Sequence, residues 1–387
     1  MGQGSRVFLK RQVVVPKRCY RVPDLLPSHT ILRPAMRRDD EQHLASEQQS
    51  NSVETDQRLA ALTRWVHGLP GLGTATLESA SDDASFRRYF RVRFGEQTRI
   101  AMDAPPPMED CRPFVDVADY LQSMSVNAPN IDAADLDQGF LLMTDFGAVT
   151  LLDEFTRAPA RIDTLYADSI DALVRMQLNG AAHQNKLPPY DEALLRRELA
   201  LFHDWLCERH LGITFSATDE KNWEAICDQL VEVSLGQPRV FVHRDYHSRN
   251  LMLTETDNPG VIDFQDAVEG PLTYDLVSLL KDCYFKLDAD RVDAFARRFY
   301  LDMQGTLTQD MDADAFVRLF DLTGVQRHLK AAGIFARLKH RDGKHRYMAD
   351  VPMALRYIVD VAPRYTELEF LARFISDRCL PELEQDA

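Results

Sequence analysis

The sequence predicts an α+β protein of two lobes, a small strand-rich one followed by a larger, mostly helical one. Short alternating apolar segments separated by turns fill the chain between 74 and 144, whereas long apolar runs at three- and four-residue spacing dominate beyond Asp145. Size agrees, because 387 residues exceed one average domain.

A helical run comes first, with Leu59, Leu62, Val66 and Leu69 recurring until Gly68-Leu69-Pro70-Gly71 breaks it. Strands are expected over Thr74–Ser79, Tyr89–Phe94 and Arg99–Met102. The loop Ser81–Phe86 joins the first two and a turn at Gly95-Glu96 the next. Alternation sets Phe90, Val92 and Phe94 on one face of the middle strand. After Pro105-Pro106-Pro107, Arg112–Met124 reads as a helix burying Phe114, Val117, Ala118 and Leu121, and Gly139–Thr144 as a buried strand. Helices are then expected over Ile162–Leu178, Leu194–Leu211, Leu276–Tyr284 and Val325–Leu338. The lobes are placed at 53–144 and 145–387, and no internal repeat interrupts them.

Residues 1–52 are a different kind of chain. Met1 to Arg38 holds nine basic residues and one acid, a net charge of +8 that leaves −23 for the remainder. The segment lacks an apolar signal core and reads as a disordered basic extension with a polar linker, or as residues upstream of a true start at Met36. The overall charge of −15 disfavours general nucleic-acid binding, and no apolar run approaches the ~18 residues of a membrane span. Six scattered cysteines without C-x-x-C spacing suit reduced thiols in cytoplasm better than zinc or a disulfide framework.

The chemistry is concentrated between 239 and 268. Val240-Phe241-Val242 reads as a strand leading into His243-Arg244-Asp245-Tyr246-His247-Ser248-Arg249-Asn250. A turn at Asp257–Gly260 precedes a second strand, Val261-Ile262, which ends in Asp263-Phe264-Gln265. A phosphoryl acceptor hydroxyl needs a carboxylate to orient it and take its proton, and Asp245 is placed to do so. Mg²⁺ takes hard oxygen ligands, which Asp263 and the amide of Asn250 supply. The five-residue step from Asp245 to Asn250 matches the kinase pattern H-R-D-x-x-x-x-N. Asp145-Phe146-Gly147 also spells D-F-G, but it precedes Asp245 by a hundred residues, so the metal-binding role falls to Asp263 and Asp145 closes the link between lobes.

This loop, the Asp263 strand and Gly270–Leu276 resemble the aminoglycoside phosphotransferase-like kinases. Ser81–Val92, Met102–Pro106, His243–Met252, Val261–Leu280 and Gly324–Leu338 together resemble the bacterial N-acetylmuramate/N-acetylglucosamine kinases of cell-wall recycling. The resemblance runs from about 56 to about 363. It implies a bilobal protein-kinase-like fold, ATP and Mg²⁺ as cofactors, and transfer of the γ-phosphate to the anomeric C1 hydroxyl of an amino sugar. A small-molecule sugar is then the expected partner, and the oligomeric state stays open.

Two departures stand out. Kinases of this fold place a lysine on the third strand, yet Ile100-Ala101-Met102-Asp103 ends in an acid and no lysine occurs between Lys17 and Lys186. Ser81–Ser85 also replaces the glycines of the phosphate loop. Backbone N–H groups around Ser85 can still meet phosphate, and an arginine is expected to substitute for the lysine, Arg88 or Arg91, directed by Asp103. Met143 and Thr144 mark the expected adenine neighbourhood. His243 and Asp275 are expected to brace the loop. Arg249, Gln265, Glu269 and Arg327 are candidates for the sugar, with Tyr246, His247 and Lys330 as further neighbours. Two other readings stay open at this point. One is a kinase for an aminoglycoside, choline or homoserine, of which a cationic acceptor would want an acidic pocket; the other is a pseudokinase, suggested by the missing lysine and glycines.

Overall fold

The computed structural model describes residues 57–81, 87–106 and 108–385. The expectations for 1–52 and for Ser85 with its loop therefore lie outside the described residues.

Helix α1 (57–68) leads into an antiparallel sheet of β1 (Thr76–Ser81), β2 (Arg88–Phe94), β3 (Gln97–Asp103), β4 (Ile131–Asp135) and β5 (Phe140–Thr144), in the order β1-β2-β3-β5-β4. Helix α2 (Arg112–Ser123) sits between β3 and β4. The pleat sorts side chains to two faces. Phe90, Val92, Ala101, Phe140 and Leu142 pack on Leu62 and Val66 of α1, while Met102, Leu141 and Met143 join Phe114, Val117 and Leu121 of α2 in the main core. Strand β4 is not apparent in the sequence because IDAAD carries only one strong β-former, Ile131.

The larger lobe is built on α3 (Leu151–Arg157), α4 (Ile162–Asn179), α5 (Glu192–Leu201), α6 (Ala217–Leu235), α7 (Tyr274–Leu280), α8 (Ala289–Asp302), α9 (Ala313–Asp342) and α10 (Val351–Val361). Thr150 and Ser216 start α3 and α6 with reciprocal capping boxes to Asp153 and Asp219. The expected helix over Leu194–Leu211 differs in kind: α5 ends at Leu201 and continues as a π-helical segment, Phe202–His210. Gly333 explains how α9 fits there, since a Cβ at this position would lie 2.3 Å from the carbonyl carbon of Leu201. Helix α9, the central element, is 30 residues long and buried on nearly all sides from Phe320 to Ala336. It runs beyond the expected Val325–Leu338 at both ends, and its N-terminal part continues the same apolar spacing through Phe316, Leu319 and Phe320.

Between α6 and α7 lie two short ribbons. β6 (Arg239–Val242) pairs with β9 (Val268–Pro271), and β7 (Leu251–Met252) pairs with β8 (Gly260–Val261). They carry the polar loop His243–Asn250 to the cleft between the lobes.

Candidate active site

The two ribbons bring the three key side chains together. Pairing of Leu251 with Val261 sets Asn250 beside Ile262, whose N–H donates to the Asn250 carbonyl at 3.1 Å. Asn250 Nδ2 then donates to Asp263 Oδ2 at 3.2 Å and to the Asp245 carbonyl at 3.0 Å. Those bonds use the amide nitrogen and leave Oδ1 as the atom of Asn250 to offer a cation. Asp245, Asn250, Asp263 and Gln265 all line one cleft of about 1180 Å³. Gln265 donates to Asp263 Oδ1 at 2.8 Å, while its own Oε1 is buried without a partner. Carboxylate and amide oxygens gathered in this way suit a hard divalent ion.

Both Arg244 (φ 76°) and Asp263 (φ 63°) adopt the left-handed backbone region, which costs on the order of 1–3 kcal/mol for an ordinary residue. Two carboxylates, one on α7 and one just past its end, hold the strained loop. Asp275 on α7 accepts from the N–H groups of His243 (2.7 Å) and Arg244 (3.0 Å). Asp282, two residues beyond the end of α7, accepts from the Ser248 N–H at 3.0 Å and from its hydroxyl. Burial pushes Asp275 up to about 7, although the two N–H groups favour its anion.

His243 is fully buried, with Nδ1 accepting from the Asp245 N–H at 3.2 Å and Nε2 facing the Ile262 carbonyl at 3.0 Å. Its proton therefore sits on Nε2, and the ring ties the loop to the Asp263 strand. Burial lowers its pKa to about 4, so it is neutral at pH 7. A group depressed in the folded state and near 6.5 in the unfolded one takes up a proton on unfolding as the pH falls. Its stabilisation is present above pH 6.5 and is lost towards pH 4. Against a His243→Gln variant, the wild-type unfolding free energy should fall faster by roughly 1.4 kcal/mol per pH unit between pH 6 and 5. Urea titrations at these pH values check this, and parallel lines for the two proteins would contradict it.

Behind the loop lies a buried ionic cluster that the sequence does not reveal. Glu198 of α5 accepts from Arg244 at 2.6 Å, faces Lys330 at 3.1 Å and also accepts from the Tyr190 hydroxyl. Lys330 donates to the Tyr274 hydroxyl at 2.9 Å. Burial works against ionisation of Asp245, but the positive charges of Lys330, Arg244 and Arg327 outweigh it and hold the carboxyl below its usual range. A carboxylate that remains ionised can accept a proton.

On the small-lobe side, Arg91, Met143 and Thr144 line the cleft, together with Arg87. Arg91 forks onto Asp145 at 2.7 and 3.1 Å and also meets the Gly147 carbonyl at 2.8 Å, so it fastens β2 to the interlobe segment. Arg88 corrects the expectation for the phosphates. It lies opposite Asp103 on the α1 face, where Asp103 is clamped between Arg58 and Arg88, and is absent from the cleft lining. The pleat is the reason, since Arg88 shares the side of β2 occupied by Phe90 and Val92. Arg87 faces the cleft and pairs with Glu109 at 2.8 Å.

Of the acceptor candidates, Arg249, Gln265, Arg327 and Lys330 line the cleft, as does His247, whereas Tyr246 and Glu269 do not. Tyr246 is buried with its hydroxyl on the Ser169 carbonyl. Glu269 lies on β9 opposite Phe241, with Pro188 and Tyr190 on its backbone and Arg239 3.9 Å from its carboxylate. That placement corrects its assignment to the sugar.

The model of the phosphotransferase enzyme family matches residues 76–313, which spans both lobes and the whole loop. The chain belongs to this family. An N-acetylmuramate/N-acetylglucosamine kinase of Pseudomonas aeruginosa is 49% identical over 78% of this chain and 88% of that protein. Its namesake from Pseudomonas putida is 44% identical over 84% and 97%. Among solved structures, a choline kinase of Cryptosporidium parvum superposes with a TM-score of 0.55 at 12% identity, covering 83% of this chain and 99% of that one. An ADP-bound aminoglycoside phosphotransferase gives 0.52 at 13% identity, over 77% and 97%. At such identities these two speak for the fold, which is the bilobal protein-kinase-like one. The protein is a phosphotransferase with an alcohol group as acceptor.

Proposed function

We propose that the protein transfers the γ-phosphate of ATP to the C1 hydroxyl of N-acetylmuramate or N-acetylglucosamine. The product would be a sugar 1-phosphate, made in the cytoplasm during peptidoglycan recycling. The observation that carries this reading is the convergence of Asp245, Asn250 and Asp263 on a cleft whose acceptor wall is cationic.

Asp245 orients the acceptor hydroxyl and takes its proton, a modest demand because an anomeric hydroxyl is more acidic than other sugar hydroxyls. Lys330 and Arg327, buried beside Asp245, keep it ionised between turnovers. Asp263, Asn250 and Gln265 present oxygens that fit Mg²⁺, which when bound would neutralise phosphate charge. Met143 and Thr144 are assigned to the nucleotide base, and Arg91 to the phosphate end of the cleft through its tie to Asp145. Most of the acceleration then comes from alignment and fixed charge.

Arg87, held by Glu109, takes the place of the missing strand lysine. Arg87→Ala should raise the KM for ATP about tenfold, the size of one charge-assisted bond, whereas Arg88→Ala should leave it within about twofold. Initial rates across an ATP series check this, and equal effects of the two substitutions would contradict it.

Acceptor choice follows from charge. Arg249, Arg327, Lys330, Arg337, Arg341 and Arg346 line the large-lobe side, where Asp342 is paired to Arg341. A cationic aminoglycoside or choline would meet repulsion there. A pseudokinase has no chemical use for the three converged oxygen donors. Measuring ADP release over N-acetylmuramate, N-acetylglucosamine, an aminoglycoside and choline tests the reading. Turnover confined to the two sugars is expected, and preference for a cationic acceptor would sink it.

A further inference from the structure

Helix α9 supplies a continuous stripe of the cleft wall: Arg327, Lys330, Ile334, Arg337 and Arg341 recur at three- and four-residue steps. Its inner cations are committed. Lys330 serves Glu198 and the Tyr274 hydroxyl, and Arg327 is buried against Cys283 with its Nη1 3.8 Å from the sulfur. At the outer end, Arg341 is bound twice by Asp342, at 2.8 and 3.0 Å.

Arg337 is different. Its Nε is buried without a hydrogen-bond partner, and it has no ion pair among the described residues. Burial and the like charge of Arg341 lower its pKa, so its cationic form is held at a cost. An unmet guanidinium facing a cleft is a receptor waiting for an anion, and the planar fork of arginine matches a carboxylate. Its place also fits. Seven residues beyond Lys330, it stands roughly 10 Å further along the helix axis, the reach of a sugar ring bearing a side arm. Between the two positions, Ile334 and the stacked rings of Phe335 and Tyr347 (centroids 5.8 Å apart) offer an apolar surface for the ring face.

We infer that Arg337 is a specificity-determining residue, the receptor for a carboxylate carried by the acceptor sugar at the end remote from the reacting hydroxyl. This rests on the amino-sugar kinase reading and deepens it. N-acetylmuramate carries a lactyl carboxylate that N-acetylglucosamine lacks, so the two sugars form a matched pair of probes. The protein would then favour the carboxylate-bearing one through a single side chain. The other cleft cations already have partners or, as with Arg249 over the Tyr284 ring at 4.6 Å, an aromatic seat.

Steady-state kinetics of the full chain with both sugars at saturating ATP provide the test, using Arg337→Met and Arg337→Lys. In Arg337→Met the ratio of kcat/KM for N-acetylmuramate over N-acetylglucosamine should fall about 10- to 100-fold, mainly through the KM of N-acetylmuramate. Arg337→Lys keeps the charge without the fork and should fall part of the way. Each protein is its own control for folding, because a general defect lowers both sugars together and leaves the ratio intact. An unchanged ratio in both variants, with the wild type active on both sugars, overturns the role of Arg337 alone. Wild-type turnover of neither sugar overturns the amino-sugar reading and this inference with it.

Discussion

Asp245→Asn should leave the protein folded and able to bind ATP while lowering kcat by at least about 10³-fold. Asparagine has the same shape, so the backbone contacts of the loop survive: the Asp245 N–H on His243 Nδ1 and the Asp245 carbonyl on Asn250. Only the proton acceptor is lost. The charges that hold Asp245 ionised, Lys330 with Arg244 and Arg327, then face an amide that cannot relieve them, although Glu198 still partners two of the three. The stability loss should therefore be modest next to the kinetic one. Single-turnover kinetics beside an ATP titration separate the two effects. Retained turnover would show that another group takes the proton.

Asp263→Asn should cost activity by a different route. The left-handed backbone at 263 (φ 63°) is one that asparagine tolerates nearly as well as aspartate, so the strand end keeps its course. Asn250 donates to Oδ2 and Gln265 to Oδ1, so an asparagine, with one acceptor oxygen, keeps one of these two hydrogen bonds. The larger loss is the negative charge. The Mg²⁺ concentration needed for half-maximal rate should rise at least about tenfold, and kcat should fall by roughly 10²- to 10³-fold. Rates across a Mg²⁺ series check this. An unchanged Mg²⁺ dependence would remove Asp263 from the metal site.

The sequence makes the loop legible because its chemistry is local: Asp245 and Asn250 are five residues apart, and Asp263 ends the strand that follows. Most strands and helices were legible through their apolar periods, whereas Ile131–Asp135 carried too weak a pattern. The side on which Arg88 lies is written in the strand's alternation. Alternation already sets Phe90 and Val92 on one face, and Arg88 stands two residues before Phe90 on that face, with Arg87 left to turn towards the cleft. Glu269 shows a different limit, since nothing near it in the chain tells that 188–190 lies along its strand. The same holds for Glu198, which meets Arg244 across 46 positions and Lys330 across a far longer gap. Asp282 is hidden for a related reason: α7 ends at Leu280, so the helical period that starts at Asp275 does not carry to it, and its hold on Ser248 spans 34 positions. On α9, Arg337 falls inside the expected Val325–Leu338, whereas Arg341 counts as a cleft residue only once the helix is known to extend to Asp342.

The most direct measurement is phosphorus–proton correlation NMR on the product formed from ATP, Mg²⁺ and N-acetylglucosamine or N-acetylmuramate. A phosphorus signal coupled to the anomeric proton is the predicted result, placing the new bond at C1. Coupling to a proton at any other ring position, or no sugar phosphate at all, would contradict the account.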